Sequence, residues 1–162
     1  MTAGSGPLGA LEASGLGRAM REWLWLYPSV EIVHIVGIAL LFGSIAVLDL
    51  RLLGVSRGIP VKTLARHVLP WSAASFLLVV PSGLMMFTAH ATEFATNPAF
   101  LLKLALLATA AANVAFFHLG PYRTVHAWDG AGEAPGTARA AAAPSIAVWI
   151  AVITCGRLIA YF

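Results

Sequence analysis

Long apolar runs separated by short polar connectors dominate the chain. Four of them, 28–53, 67–90, 98–119 and 141–162, reach the about 20 residues a helix needs to cross a bilayer. Their ends carry suitable punctuation. Gly54 is a natural stop for the first. Asn97-Pro98 opens the third with a cap followed by proline at the first helical position, and Gly120-Pro121 closes it. Thr137 or Pro144 marks the start of the fourth. Pro81 lies inside the second run and leaves the Leu77 carbonyl without its helical donor, which predicts a kink. Neither an alternating strand pattern nor a long repeat is present, which argues against a β-barrel. The expected fold is an all-α membrane four-helix bundle over residues 28–162.

Ahead of the first run, residues 1–13 read as a flexible tail without the basic start and cleavage site of a signal peptide. Ser14 then precedes an amphipathic segment, 14–27, with Leu16, Met20, Trp23, Leu24 and Tyr27 on one face and Arg18, Arg21 and Glu22 elsewhere. This pattern suits a helix lying in the headgroup layer, anchored by Trp23 and Trp25. The other reading is an extension of the first span.

Composition agrees with lipid as the solvent. Apolar residues make up 59% of the 162 and charged residues 10%, against about 45–50% and about 25% in soluble domains. A soluble chain this small cannot hide so much apolar surface, and a disordered one needs the opposite balance. The single cysteine, Cys155, excludes an intrachain disulfide and a cysteine-built zinc or iron–sulfur centre. The net charge of +3 is scattered, so nucleic-acid binding is not indicated. The side holding both connectors, 55–66 and 121–140, carries Arg51, Arg57, Lys62, Arg66, Arg123 and Arg139, whereas the other side has Arg18 and Arg21 outside the spans. The positive-inside rule then puts the connectors in the cytoplasm and both termini in the periplasm of a bacterial inner membrane.

Polar side chains inside a span are costly and mark candidate sites. Counting helical rise puts Glu31, His34, His90, Lys103 and Arg157 in one outer layer, so all four helices contribute an ionisable group at similar depth. One reading is a haem b with His34 and His90 as axial ligands and Lys103 and Arg157 on the propionates. In it Gly37 and Gly83 would remove bulk beside the macrocycle. The plainer alternative is that His90 ends its helix at the interface while Glu31 pairs with Lys103 or Arg157. Met86, His90, Cys155 and His34 offer a soft sulfur and imidazole set suited to Cu(I), although Met85 and Met86 also serve simply as packing.

An inner layer holds Asp49, Arg51, Arg66, His67, Asn113, His118 and Arg139. His67 and His118 could hold a second haem. Against this, histidine suits a helix C-terminus, and Asp49, Arg51 and Arg139 could form an ordinary ion network. His67 and His90 lie about 35 Å apart along one helix and face different ways, so one haem is expected rather than two. No phosphate loop, catalytic Ser-His-acid set or carboxylate pair occurs. Candidate helix-packing positions are Gly37 and Gly43, Ala73 to Ser75, and Ala108 to Ala112.

The combination of Glu31-Ile-Val-His34, Asp49-Leu-Arg51-Leu-Leu-Gly54, Asn97-Pro98-Ala-Phe100 with Lys103, Asn113 and Phe117-His118, and Gly156-Arg157-Leu-Ile-Ala-Tyr161 resembles an uncharacterised family of small bacterial four-helix inner-membrane proteins. That family is distantly similar to b-type cytochromes and CopD-like copper-resistance membrane proteins, and the resemblance implies redox or metal handling. The expected function is a non-enzymatic redox subunit, binding haem b and passing electrons between the quinone pool and a periplasmic partner. A cofactor-free structural or assembly subunit of a larger membrane complex is the alternative, and copper handling the third.

Overall fold

A computed structural model describes residues 6–129 and 133–162, which are almost wholly helical and contain no strand. Two short helices, α1 (Pro7–Glu12) and α2 (Gly15–Glu22), precede the long α3 (Leu26–Leu52) and α4 (Val61–Ala89). A single turn, α5 (Ala91–Phe94), leads into α6 (Pro98–Leu119). A 3-10 turn at Pro121–Thr124 and the short α7 (Val125–Trp128) then lead to α8 (Gly136–Leu158). The four long helices are long and apolar enough to cross a membrane, and the chain is a multi-pass membrane protein.

The long helices form two antiparallel pairs, α3 with α4 and α6 with α8, joined where α3 packs on α8. The remaining side, between α4 and α6, is the loosest among the described residues. Three apolar clusters run up the bundle. At the connector end, Leu48, Leu52, Val61, Ala65 and Phe117 meet the alanines that open α8. Leu41, Ala110, Trp149 and Val152 fill the middle. Met20, Val30 and Ala89 close the outer end. Much of the remaining apolar surface faces outward, as at Leu77, 77% exposed, and Ile32, 62% exposed. With little hydrophobic force between helices in lipid, close packing and polar contacts have to hold them together.

Local sequence explains the helix ends. The Asn97 side-chain oxygen accepts from the amides of Ala99 (2.9 Å) and Phe100 (3.1 Å), while its amide nitrogen reaches the Ile159 carbonyl (3.1 Å). The same side chain therefore caps α6 and ties it to the end of α8. Ser14 caps α2 by accepting from Gly17.

Elsewhere the elements differ from the sequence expectation. The second span begins at Val61, not near residue 67, because the Asp129 carboxylate accepts from the amides of Val61 and Lys62 and holds the first turn from across the connector. The fourth begins at Gly136, behind Pro135, five residues before the expected 141. Within the expected flexible tail, residues 7–12 are helical. The Glu12 carboxylate accepts from the Thr92 amide (2.7 Å) and hydroxyl (2.6 Å), and Arg21 donates to the Ala89 and Glu12 carbonyls. Residues 1–5 of that tail lie outside the described residues. Helix α2 packs on α4 through Gly17 and Met20, whereas Leu16, Trp23, Leu24 and Trp25 are exposed at the outer end. Only part of the predicted apolar face is thus buried in the protein.

Candidate functional site

Three consecutive residues of α4 set the geometry around His34. Pro81 has no amide hydrogen, and the next residue, Ser82, turns its hydroxyl back onto the helix, donating to the Leu78 carbonyl. Its proton being committed there, the Ser82 oxygen has a lone pair left to accept from His34 Nδ1, 2.8 Å away. Neutral imidazole carries one N–H, so in the tautomer that donates from Nδ1 to Ser82 the Nε2 lone pair is free. Histidines that ligate metals or accept protons are oriented in this way by the partner of their other nitrogen. Gly83 makes the approach possible: a Cβ there would stand 3.1 Å from His34 Cε1.

Lys103 enters the same outer region from α6. Its ammonium lies over Gly156 of α8, 3.4 Å from where a Cβ would be, and beside the buried Cys155. It is close enough to the His34 ring for the two to act on each other electrostatically. It forms no ion pair among the described residues, where the ion pairs are Arg57 with Glu133 and His90 with Glu93. The arrangement therefore offers a hydrogen-bond acceptor and a cationic donor within the outer part of the bundle, from opposite helix pairs.

The rest of the expected outer layer is not assembled there. Glu31 is exposed and pairs with neither Lys103 nor Arg157. Arg157 is exposed, bonding the Tyr161 hydroxyl at 3.0 Å with its guanidinium 5.1 Å from the ring centroid. His90 lies eight residues beyond Ser82, about 12 Å further along the helix, where it pairs with Glu93 and packs on Phe94. It does not face His34. Gly37 does not open a slot for a macrocycle: it closes the α3–α4 seam, a Cβ there falling 2.7 Å from Val79 Cγ2. Met86 packs near Met20 and Val30 at the outer end, so Met86, His90, Cys155 and His34 do not form one set. No group of three or more His, Cys, Asp or Glu suited to a metal occurs among the described residues.

In the inner layer, His67, Arg66 and Arg139 are exposed. His118 bonds the Val114 carbonyl at 3.0 Å and packs against Phe117 and Tyr122. His67 and His118 stand on α4 and α6, whose backbones do not run close together. A bis-histidine haem needs two imidazoles facing across one iron, and neither predicted pair supplies them within this chain. Asp49 and Arg51 are buried without pairing with each other or with Arg139. Arg51 instead binds the Ile59 (2.6 Å) and Arg57 (3.1 Å) carbonyls and fastens the connector to α3.

Sequence reasoning did not single out Ser82, the residue that orients His34. Its signal was a small hydroxyl beside an intrahelical proline. The residues that carry this geometry fall within a match to a family model spanning residues 11–162. The chain belongs to DUF6644, a family of unknown function. No curated protein and no solved structure matches it.

Proposed function

We propose that this DUF6644 protein is a redox subunit of a bacterial inner membrane, with His34 and Lys103 holding the ring of a membrane quinone or quinol. The observation that carries this reading is the contact of His34 Nδ1 with Ser82, which in the Nδ1–H tautomer leaves the Nε2 lone pair for a ligand, in the same outer region as an ammonium group without an acidic partner among the described residues. A quinol hydroxyl can donate to Nε2, and Lys103 can donate to a ring oxygen. Both contacts gain strength from the low dielectric around them. Oxidation of a quinol to a quinone releases two electrons and two protons. In this reading His34 takes the first proton, water at the outer surface takes the second, and both electrons pass to the redox centre of a periplasmic partner. The positive charge of the connector side supports the corresponding orientation, with connectors cytoplasmic and termini periplasmic.

The alternative, a structural or assembly subunit, draws on Ala105, Ala108 and Ala112, which are exposed along α6. Small residues on a lipid-facing helix permit close approach by another helix. Extraction of quinone from the detergent-purified protein separates the readings. The redox reading requires bound quinone in the wild type, reduced in His34→Ala and Lys103→Met and unchanged in His126→Ala. Quinone-free protein from quinone-replete membranes would leave the structural role.

A further inference from the structure

The most completely enclosed acid of the bundle lies away from His34. Asp49 is one turn from the end of α3 and only 7% exposed, and its Oδ2 is sealed from solvent without a hydrogen-bond partner. Arg51, two residues on, faces a different way and gives its guanidinium to connector carbonyls. Among the described residues no charged side chain pairs with the Asp49 carboxylate.

The groups that do surround it are oxygen-rich. Buried Ser145 of α8 lies against Asp49. One turn earlier on α8, the Ala141 carbonyl accepts from Asn113 of α6 at 3.1 Å, leaving the Asn113 side-chain oxygen at that level. Three spanning helices thus place a carboxylate, a hydroxyl and an amide oxygen in the connector half of the bundle. An enclosed carboxylate in lipid is costly without a positive charge, and hard oxygen donors suit a hard cation.

We propose that Asp49, with Ser145, is a binding site for a monovalent cation, either a sodium ion or a proton. The site is independent of the quinone reading, since Asp49 and His34 are separated by about 22 Å of helix.

Thermal unfolding of the full-length protein in nanodiscs tests it, with sodium replacing choline at constant ionic strength, and with pH varied separately. A Glu12→Gln background removes the pH response of the α1 latch. If sodium is the ligand, the melting temperature rises with the logarithm of sodium concentration. That rise disappears in Asp49→Asn and weakens in Ser145→Ala. If the ligand is a proton, sodium has no effect, the melting temperature rises as pH falls, and Asp49→Asn removes this dependence. A wild-type protein insensitive to both overturns the site, as does an unaltered response in Asp49→Asn. Should Asp49→Asn fail to fold, an unaltered response in Ser145→Ala overturns it as well.

Discussion

Replacing Gly37 by alanine tests how the α3–α4 seam supports His34. The new methyl group would stand 2.7 Å from Val79 Cγ2, 3.0 Å from Leu78 Cβ and 3.3 Å from the Val79 amide nitrogen. The last two belong to or adjoin the α4 backbone and cannot rotate away. The helices must therefore separate locally, at an overpacking cost of about 1–3 kcal/mol. Better intrinsic helix propensity offsets about 1 kcal/mol. Because two of the three contacts are rigid, the cost falls towards its upper end and the net loss is about 1–2 kcal/mol. His34 is less than one turn from Gly37, so the same separation lengthens its 2.8 Å contact with Ser82. Denaturant titration in bicelles measures the stability change, and a cycle with Val79→Ala isolates its cause. Removing Val79 Cγ2 should recover about 1 kcal/mol of the Gly37→Ala loss. An unchanged stability in Gly37→Ala, or zero coupling to Val79→Ala, would refute the assignment of Gly37 to seam closure.

Cysteine placed at Gly58 in a Cys155→Ser background should label from the cytoplasmic side; labelling from the periplasm would reverse the orientation. Hydrogen bonds from the Thr92 hydroxyl and amide hold the Glu12 carboxyl below the usual carboxylate range. The contribution of Glu12 to α1 docking is therefore present above the unfolded carboxylate pKa and is lost as pH falls through the lower folded value. Amide exchange in residues 7–22 should accelerate on acidification in the wild type, and this acid dependence should be reduced in Glu12→Gln; identical profiles contradict the latch. Asp129→Ala should cost about 0.5–2 kcal/mol as a lost helix cap and speed exchange at Val61 and Lys62. Unchanged exchange there would argue against the cap.

The span count and several helix ends were legible because their signals are local. Asn97-Pro98 and Ser14 act within three residues of their position, and Pro81 marks the stretch where Ser82 bonds back to its own helix. Contacts between distant segments left no such trace. Glu12 meets Thr92 across 80 residues and Asp129 meets Val61 across 68, and these pairings order α1 and extend α4. Depth along the helices was the main source of error at the site. Counting rise inward from the span ends treated those ends as level, but α4 has 29 residues and α6 has 22. A helix longer than the bilayer thickness can tilt or project, and His90 ends beyond the His34 layer instead of within it. Gly37 and Gly83 were read as room for a macrocycle, because a missing side chain does not say what fills its place. The volume is occupied by Val79 and by the His34 ring itself.

Nitrogen-15 NMR of the labelled His34 ring, recorded in nanodiscs with and without a short-chain quinol, tests the central claim most directly. The geometry predicts a protonated Nδ1 and a bare Nε2 in the free protein. Quinol should shift the Nε2 resonance as a hydroxyl donates to it, and Ser82→Ala should weaken both the tautomer preference and the response. A protonated Nε2 with bare Nδ1, or an Nε2 resonance unmoved by saturating quinol, would contradict the proposed site.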